Sequence, residues 1–441
     1  MAVGLLLSAR ASTAREATVP SPAETVLSGL GDPVLRSLVG DVLERNPSVA
    51  ESRARARAAR LRAPQAAALP DPMTGVTGYV LQPQTRVGPL YAMVNLSQKL
   101  PWFGKLGLRE KAALSSAAAQ DALVEALRLD LLTETRRLYY EIGFLDAHRK
   151  VVQADQTTLQ HYEELARTRY ITGAGLEQAV IKIQAEITKD DTRLLDIANR
   201  RATLVASLNA LRDRPRETEI PPIDLPVLPE ITPDASALRA RALALRPEVA
   251  QADAEIVRAG TLVDLSREEY KPDVTLGLTY GIVGNRTDAQ GIASPPPDNG
   301  SDDFGISAGL NLPIWGRKLR AGVQEAMERR LSAEEGKRGV VTGIDRTLGE
   351  LVPRVSLTWD QLHLFQSVLA IQADQSLRSA ESGYSAGTLN SLDLLDAERV
   401  LLEVRIATER ARADYAIALA RLEGAVGEPL FSQEPGRGGH P

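Results

Sequence analysis

The chain has 441 residues, 25% of them charged and 44% hydrophobic, with a formal net charge of −5 and no cysteine. The missing cysteines exclude disulfides, thiolate metal sites and a thiol nucleophile, argue against a lipidated N-terminal cysteine, and fit an oxidising compartment. A small net charge without a basic stripe argues against a nucleic-acid partner, and 4% aromatics among abundant alanine, leucine, arginine and glutamate is the composition of long helices.

Residues 1–33 are expected to hold a clipped signal peptide and an N-terminal extension. Ala2 to Leu7 is a short apolar stretch, Ser8 to Ala11 a small-residue cleavage pattern, and no basic start precedes them. The longest apolar runs fall short of the roughly eighteen residues of a membrane-spanning helix.

A first unit, 34–213, opens with an alanine- and arginine-rich helix over 34–69 that stops at Pro70-Asp71-Pro72. Strands are expected over 73–81 and 90–100. The second alternates cleanly, with Leu90, Ala92, Val94, Leu96 and Leu100 on one face and Tyr91, Met93, Asn95, Ser97 and Lys99 on the other. The next helix, 105–169, is on the order of 90–100 Å long at 1.5 Å per residue. Its Leu127, Leu131, Leu138, Ile142 and Leu145 have the heptad-like spacing of helices packed side by side. It ends in the glycine turn Tyr170 to Gly175, and a returning helix covers 176–211. A proline-rich linker, 214–235, follows.

A second unit, 236–429, runs through the same elements. A helix stops at Lys271-Pro272, and strands are expected over 273–283 and 303–312. Val274, Leu276, Leu278, Tyr280 and Ile282 oppose Thr275, Gly277, Thr279 and Gly281; Phe304, Ile306, Ala308, Leu310 and Leu312 oppose Gly305, Ser307, Gly309 and Asn311. The loop between these strands is long and rich in glycine, proline and aspartate, as extracellular barrel loops are. A long helix over 318–382, with a kink expected at Pro353, leads to the turn Tyr384-Ser385-Ala386-Gly387 and a last helix over 391–425. The tail is 430–441.

These units are two copies of one design. Asn46-Pro47-Ser48-Val49-Ala50 returns as Arg246-Pro247-Glu248-Val249-Ala250, Leu100-Pro101-Trp102-Phe103-Gly104-Lys105 as Leu312-Pro313-Ile314-Trp315-Gly316-Arg317, and Tyr170 and Gly173 as Tyr384 and Gly387. Period-two strands of about ten residues, flanked by very long helices, fit an outer-membrane barrel better than a soluble sandwich. Four strands cannot close within one chain, and unpaired edges in lipid cost several kcal/mol per group, so two or three chains must share the barrel.

The duplication, the Arg-Pro-Glu-Val-Ala entry, the Leu-Pro-x-Trp-Gly corner and the Tyr-x-x-Gly turn ahead of Asp393-Leu394-Leu395-Asp396-Ala397 together resemble the TolC-like outer-membrane factor family over nearly the whole chain. The resemblance implies an α+β membrane protein, with a long α-helical barrel continuous with a β-barrel. It implies a homotrimer in which each protomer gives four strands to a twelve-stranded barrel in outer-membrane lipid above a periplasmic helical tunnel. It also implies two partners, a periplasmic adaptor (membrane fusion protein) and an inner-membrane pump of RND or ABC type. The Leu-Pro-Trp-Phe-Gly-Lys corner looks most like members of the heavy-metal efflux subgroup.

By the same resemblance Asp393 and Asp396 match the aspartates that narrow the periplasmic mouth, one ring of three carboxylates each. The alternative is a solvated face on which Asp396 pairs with Arg399. Ala179 and Lys182 stand at the matching positions of the first copy, so the gate is expected to be asymmetric. The turns at Tyr170, Gly173, Gly175, Tyr384 and Gly387 are expected at the adaptor-docking tip, and Trp102, Phe103 and Trp315 at the membrane interface. His148, His161, His363 and His440 are scattered, so neither enzyme chemistry, a metal site nor a cofactor is expected. The expected function is a passive outer-membrane channel of a tripartite efflux pump in a Gram-negative bacterium, exporting metal cations or drugs. Its rivals are a type I secretion duct and a soluble coiled-coil scaffold.

Overall fold

The computed structural model describes residues 21–431; the expected signal segment, His440 and most of the tail lie outside the described residues. In chain order the elements begin with helices α1 (Pro22–Ser28), α2 (Pro33–Arg45), α3 (Pro47–Arg60) and α4 (Arg62–Ala67), then strands β1 (Met73–Gly78) and β2 (Leu90–Leu100). Helices α5 (Lys105–Ile171), α6 (Glu177–Leu211), α7 (Ala235–Leu245) and α8 (Pro247–Glu268) follow. Strand β3 (Val274–Val283), short helix α9 (Ala289–Ala293) and strand β4 (Asp303–Leu310) lead to α10 (Gly316–Leu364), α11 (Ala370–Ala386) and α12 (Ser391–Val426).

Local chemistry sets most boundaries. Ser21 and Glu24 form a reciprocal capping box on α1. Asp32, Asp234 and Asn390 accept backbone N–H bonds at the starts of α2, α7 and α12. Gly387 and Gly427 close α11 and α12 at φ +78° and +89°, where a side chain would be strained.

Several expectations need correction. The helix expected over 34–69 is three helices, and its counterpart in the second copy is two. Asn46 and Arg246 precede prolines and take ψ of 124° and 126°, because a proline ring pushes the preceding residue out of the helical region. Strand β1 stops at Gly78 and β4 at Leu310, and the loop after β3 carries α9. Helix α10 runs on through Pro353, which removes one N–H from the helical ladder. A π-helical turn follows over Phe365–Leu369, where Ala370 N–H bonds to the Phe365 carbonyl five residues back. Residues 214–234 are packed, with Ile220, Ile223, Leu225 and Leu228 buried.

The chain divides into two compact units that cut across the two copies. One unit takes Ala50–Val124 and Pro247–Gly343 and contains the sheet. All four strands are antiparallel neighbours in the order β1-β2-β3-β4, so the first copy's hairpin pairs with the second's through β2 and β3.

The other unit takes residues up to Val49, Glu125–Arg246 and Ile344 onward. Its apolar core joins α5, α6, α11 and α12 through Leu159, Tyr162, Ile183, Leu377, Tyr384 and Leu394. A second core gathers Leu145, Val152 and Ile197, with Ile406 against it. Among the described residues no helix is long and apolar enough to cross a membrane.

Candidate functional site

The register sorts the sheet into two unlike faces. Val76, Val94, Tyr280 and Phe304 lie side by side across the four strands, and Thr74, Leu96, Leu278 and Ile306 form the next row on the same face. The alternate rows are Gly75, Asn95, Thr279 and Gly305, and Met73, Ser97, Gly277 and Ser307. Alternate residues of a strand point to opposite faces, so one face is apolar and the other small and polar. The apolar face is uncovered within the chain, with Phe304 64% and Ile306 77% exposed. Strands β1 and β4 each have one unpaired edge.

At the end of β2 the chain turns a corner into α5. Lys105, 1% exposed, donates from Nζ to Asp273 Oδ1 at 2.8 Å and to the Lys271 carbonyl at 2.9 Å. Asp273 also accepts from the Trp102 N–H at 3.1 Å and faces Lys99 Nζ at 3.1 Å. Burial alone would raise its carboxyl, but the bonds from Lys105, Trp102 and Lys99 outweigh that and hold it at about 2. Trp102 is half-buried, its ring edge-on to Phe103 at 6.0 Å, while Phe103 and Trp315 are exposed.

The two glycine turns differ despite their sequence likeness. Gly173 and Gly387 both have positive φ, yet Tyr384 is buried and Tyr170 is 46% exposed. The Arg169 guanidinium sits over the Tyr384 ring, 4.7 Å from its centroid, and donates to the Tyr384 carbonyl. Beside Arg169, a side chain at Gly175 would approach its Cβ to 3.1 Å.

Asp393 and Asp396 are exposed in the first turns of α12. Asp396 pairs with Arg399 at 2.5 Å, as the solvated-face alternative expects. Three further carboxyls escaped sequence reasoning. Asp155 of α5, Asp190 of α6 and Glu398 of α12 are buried against one another. Each looks like an ordinary surface charge in its own helix, so no spacing signal marked them. Lys105 lies in the Leu-Pro-Trp-Phe-Gly-Lys corner, but its aspartate partner comes from the other copy. Among the described residues no group of three or more acids, histidines or cysteines is arranged to hold a metal ion.

A family model described as "Outer membrane efflux protein" matches residues 38–212 and 238–428. The chain belongs to the outer membrane efflux protein family. It is 23% identical over 350 residues to the outer membrane protein TolC of Vibrio cholerae, covering 77% of this chain and 76% of that protein. It is 24% identical over 311 residues to the cobalt-zinc-cadmium resistance protein CzcC of Cupriavidus metallidurans, covering 69% of each. The solved outer-membrane channel OprN superposes with a TM-score of 0.76 at 18% identity, over 91% of this chain and 92% of that one, which establishes the fold as TolC-like. The protein is an outer-membrane efflux channel with a periplasmic helical tunnel, and it is not an enzyme.

Proposed function

We propose that this protein is the passive exit duct of a tripartite efflux pump, conducting solutes such as metal cations or drugs from the periplasm to the exterior. The observation that carries the reading is the sheet, with one exposed apolar face, one small polar face and two free edges. An apolar face outward and a polar face inward is the division a lipid-embedded, water-filled barrel requires. In hydrocarbon the free edges of β1 and β4 cost several kcal/mol per unpaired group, so other copies of the chain must pair with them. Three copies give twelve strands. The copies 34–213 and 236–429 are then the two repeats of each protomer.

The exposed Phe103 and Trp315, with Trp102, lie at the membrane interface. The turns at Tyr170, Gly173, Gly175, Tyr384 and Gly387 form the periplasmic tip that an adaptor grips, and an inner-membrane pump of the RND type supplies the energy. Asp393 and Asp396 form the gate, opened when the tip dilates. Similarity to a cobalt-zinc-cadmium resistance protein supports a metal cargo. Similarity to a pyoverdine export protein keeps organic solutes in view.

The test is reconstitution. Purified protein in detergent should run as a trimer and insert into planar bilayers as discrete conductance steps. A monomer that stays folded and soluble without detergent would overturn the reading.

A further inference from the structure

The helical unit contains a buried acidic triad, with one carboxyl each from α5, α6 and α12. Asp155 is 6%, Asp190 0% and Glu398 4% exposed, and the Asp155 carboxyl lies close enough to interact with both of the others. An ionised carboxylate has no donor, so two carboxyl groups share a hydrogen bond only when one of them carries a proton. Asp155 Oδ2 and Asp190 Oδ2 are buried with no donor facing them, and a shared proton would supply one. Without that proton, neighbouring like charges would be desolvated together, which opposes ionisation twice over.

The surroundings do not neutralise the triad. On α6, Arg193 bonds Asp190 at 2.7 Å, while Glu186 adds negative potential and is itself held by Lys189 at 2.6 Å. On α5, Tyr162 directs its hydroxyl to Glu381 of α11, and its own proton is held more firmly through burial and that bond. One guanidinium therefore faces three carboxyls.

We propose that Asp155, Asp190 and Glu398 form a proton-held latch, in which a proton shared through Asp155 fastens α12 to α5 and α6, and its loss in alkaline medium loosens that packing. Burial, reinforced by Glu398, pushes the Asp155 carboxyl up to about 8, and burial lifts Asp190 to about 6 and raises Glu398. An acid raised above its unfolded value stabilises the fold fully below that unfolded value, here 3.8, and the contribution is lost as pH climbs through about 8. Glu398 lies two residues beyond Asp396 on α12, so release of the latch frees the helix that bears the gate. That last link rests on the channel reading; the latch itself does not.

The experiment uses the full-length protein in detergent. Infrared spectroscopy follows the C=O stretch of a protonated, buried carboxyl across pH, and thermal melting is recorded in parallel. The protonated band should persist at neutral pH and fade over the interval around pH 8, while the melting temperature should fall as pH rises above 3.8 and level off once the band has gone. Asp155→Asn keeps the shape and a donor but cannot ionise; it should remove the band and flatten that fall. Glu398→Gln removes one negative neighbour and should move the fading to lower pH. A wild-type protein with no protonated band at neutral pH, or an Asp155→Asn melting profile as steep as wild type, overturns the latch. In planar bilayers wild-type conductance should rise across that interval and Asp155→Asn should stay flat; a flat wild type with a normal infrared titration overturns the coupling to opening. An absence of conductance in every variant, with the infrared titration intact, counts against the channel reading and upholds the latch.

Discussion

Arg169, the last basic residue of α5, stacks its guanidinium over Tyr384, near the end of α11, at 4.7 Å from the ring centroid. The same guanidinium donates to the Tyr384 carbonyl, so one side chain ties the turn of the first copy to that of the second. Tyr170, the sequence counterpart of Tyr384, takes no such place and stays half exposed. The asymmetry yields the first prediction. Tyr384→Ala should destabilise the helical unit by about 3 kcal/mol, as truncation of a buried aromatic does, whereas Tyr170→Ala should change stability by less than about 0.5 kcal/mol. Arg169→Ala should cost about 1–2 kcal/mol through the lost stacking and hydrogen bond. Limited proteolysis at the turns and thermal melting of the three variants check this order.

The corner at Lys105 gives a second test. Lys105→Met leaves Asp273 buried with its main partner gone, and breaking a buried pair in this way costs about 3–5 kcal/mol. The double variant Lys105→Met with Asp273→Leu should recover much of that loss, because neither charge is then buried. The pH dependence has the opposite sign to that of the triad. The Asp273 carboxyl is depressed to about 2, so its contribution is present above the unfolded value of 3.8 and is lost as pH falls through about 2. Acid melting curves of wild type and Asp273→Asn should converge below that pH.

Charge placed on the sheet should read out its two faces. Ile306→Lys on the apolar face is expected to cost about 2–4 kcal/mol near the middle of a bilayer and to block membrane assembly. Thr279→Lys, on the polar face, should leave assembly intact and alter ion selectivity. Heat-resistant oligomers on unheated gels and conductance of the assembled fraction separate the two outcomes.

The gate is tested most sharply through Arg399. The Asp396–Arg399 pair is exposed on both sides, and such pairs contribute no more than about 1 kcal/mol. Arg399→Gln should therefore leave stability nearly unchanged while freeing the Asp396 charge, and block by multivalent cations should strengthen. Asp393→Asn combined with Asp396→Asn should raise single-channel conductance and weaken that block. Equal block in all three proteins would place these aspartates outside the pathway.

Much of this architecture could be read from residue order. The period-two stretches became β2, β3 and β4, and the glycines at 173 and 387 mark turns because a positive φ selects for them. The helix breaks at Asn46 and Arg246 were visible in principle, since each precedes a proline, yet the alanine-rich pattern on either side masked them. The π turn at Phe365–Leu369 had no mark, because it contains neither proline nor glycine.

The candidate gate and tip residues could be named from sequence because they sit beside glycine turns and match the pattern of the family the chain resembles. Asp155, Asp190 and Glu398 were not, because burial of a charge is a property of what packs over it. Each occupies a helix position indistinguishable from its solvated neighbours until the other two helices are in place.

By itself, the sequence determined the duplication, the alternation of the strands and the stops of most helices, since these depend on residues a few positions apart and on local backbone preference. Tertiary structure alone decided which of two equivalent tyrosines is buried, where Lys105 finds Asp273, and which three acids are buried against one another. Those outcomes depend on contacts between segments separated by tens to hundreds of residues, where burial strips away water and makes each unpaired charge or donor costly.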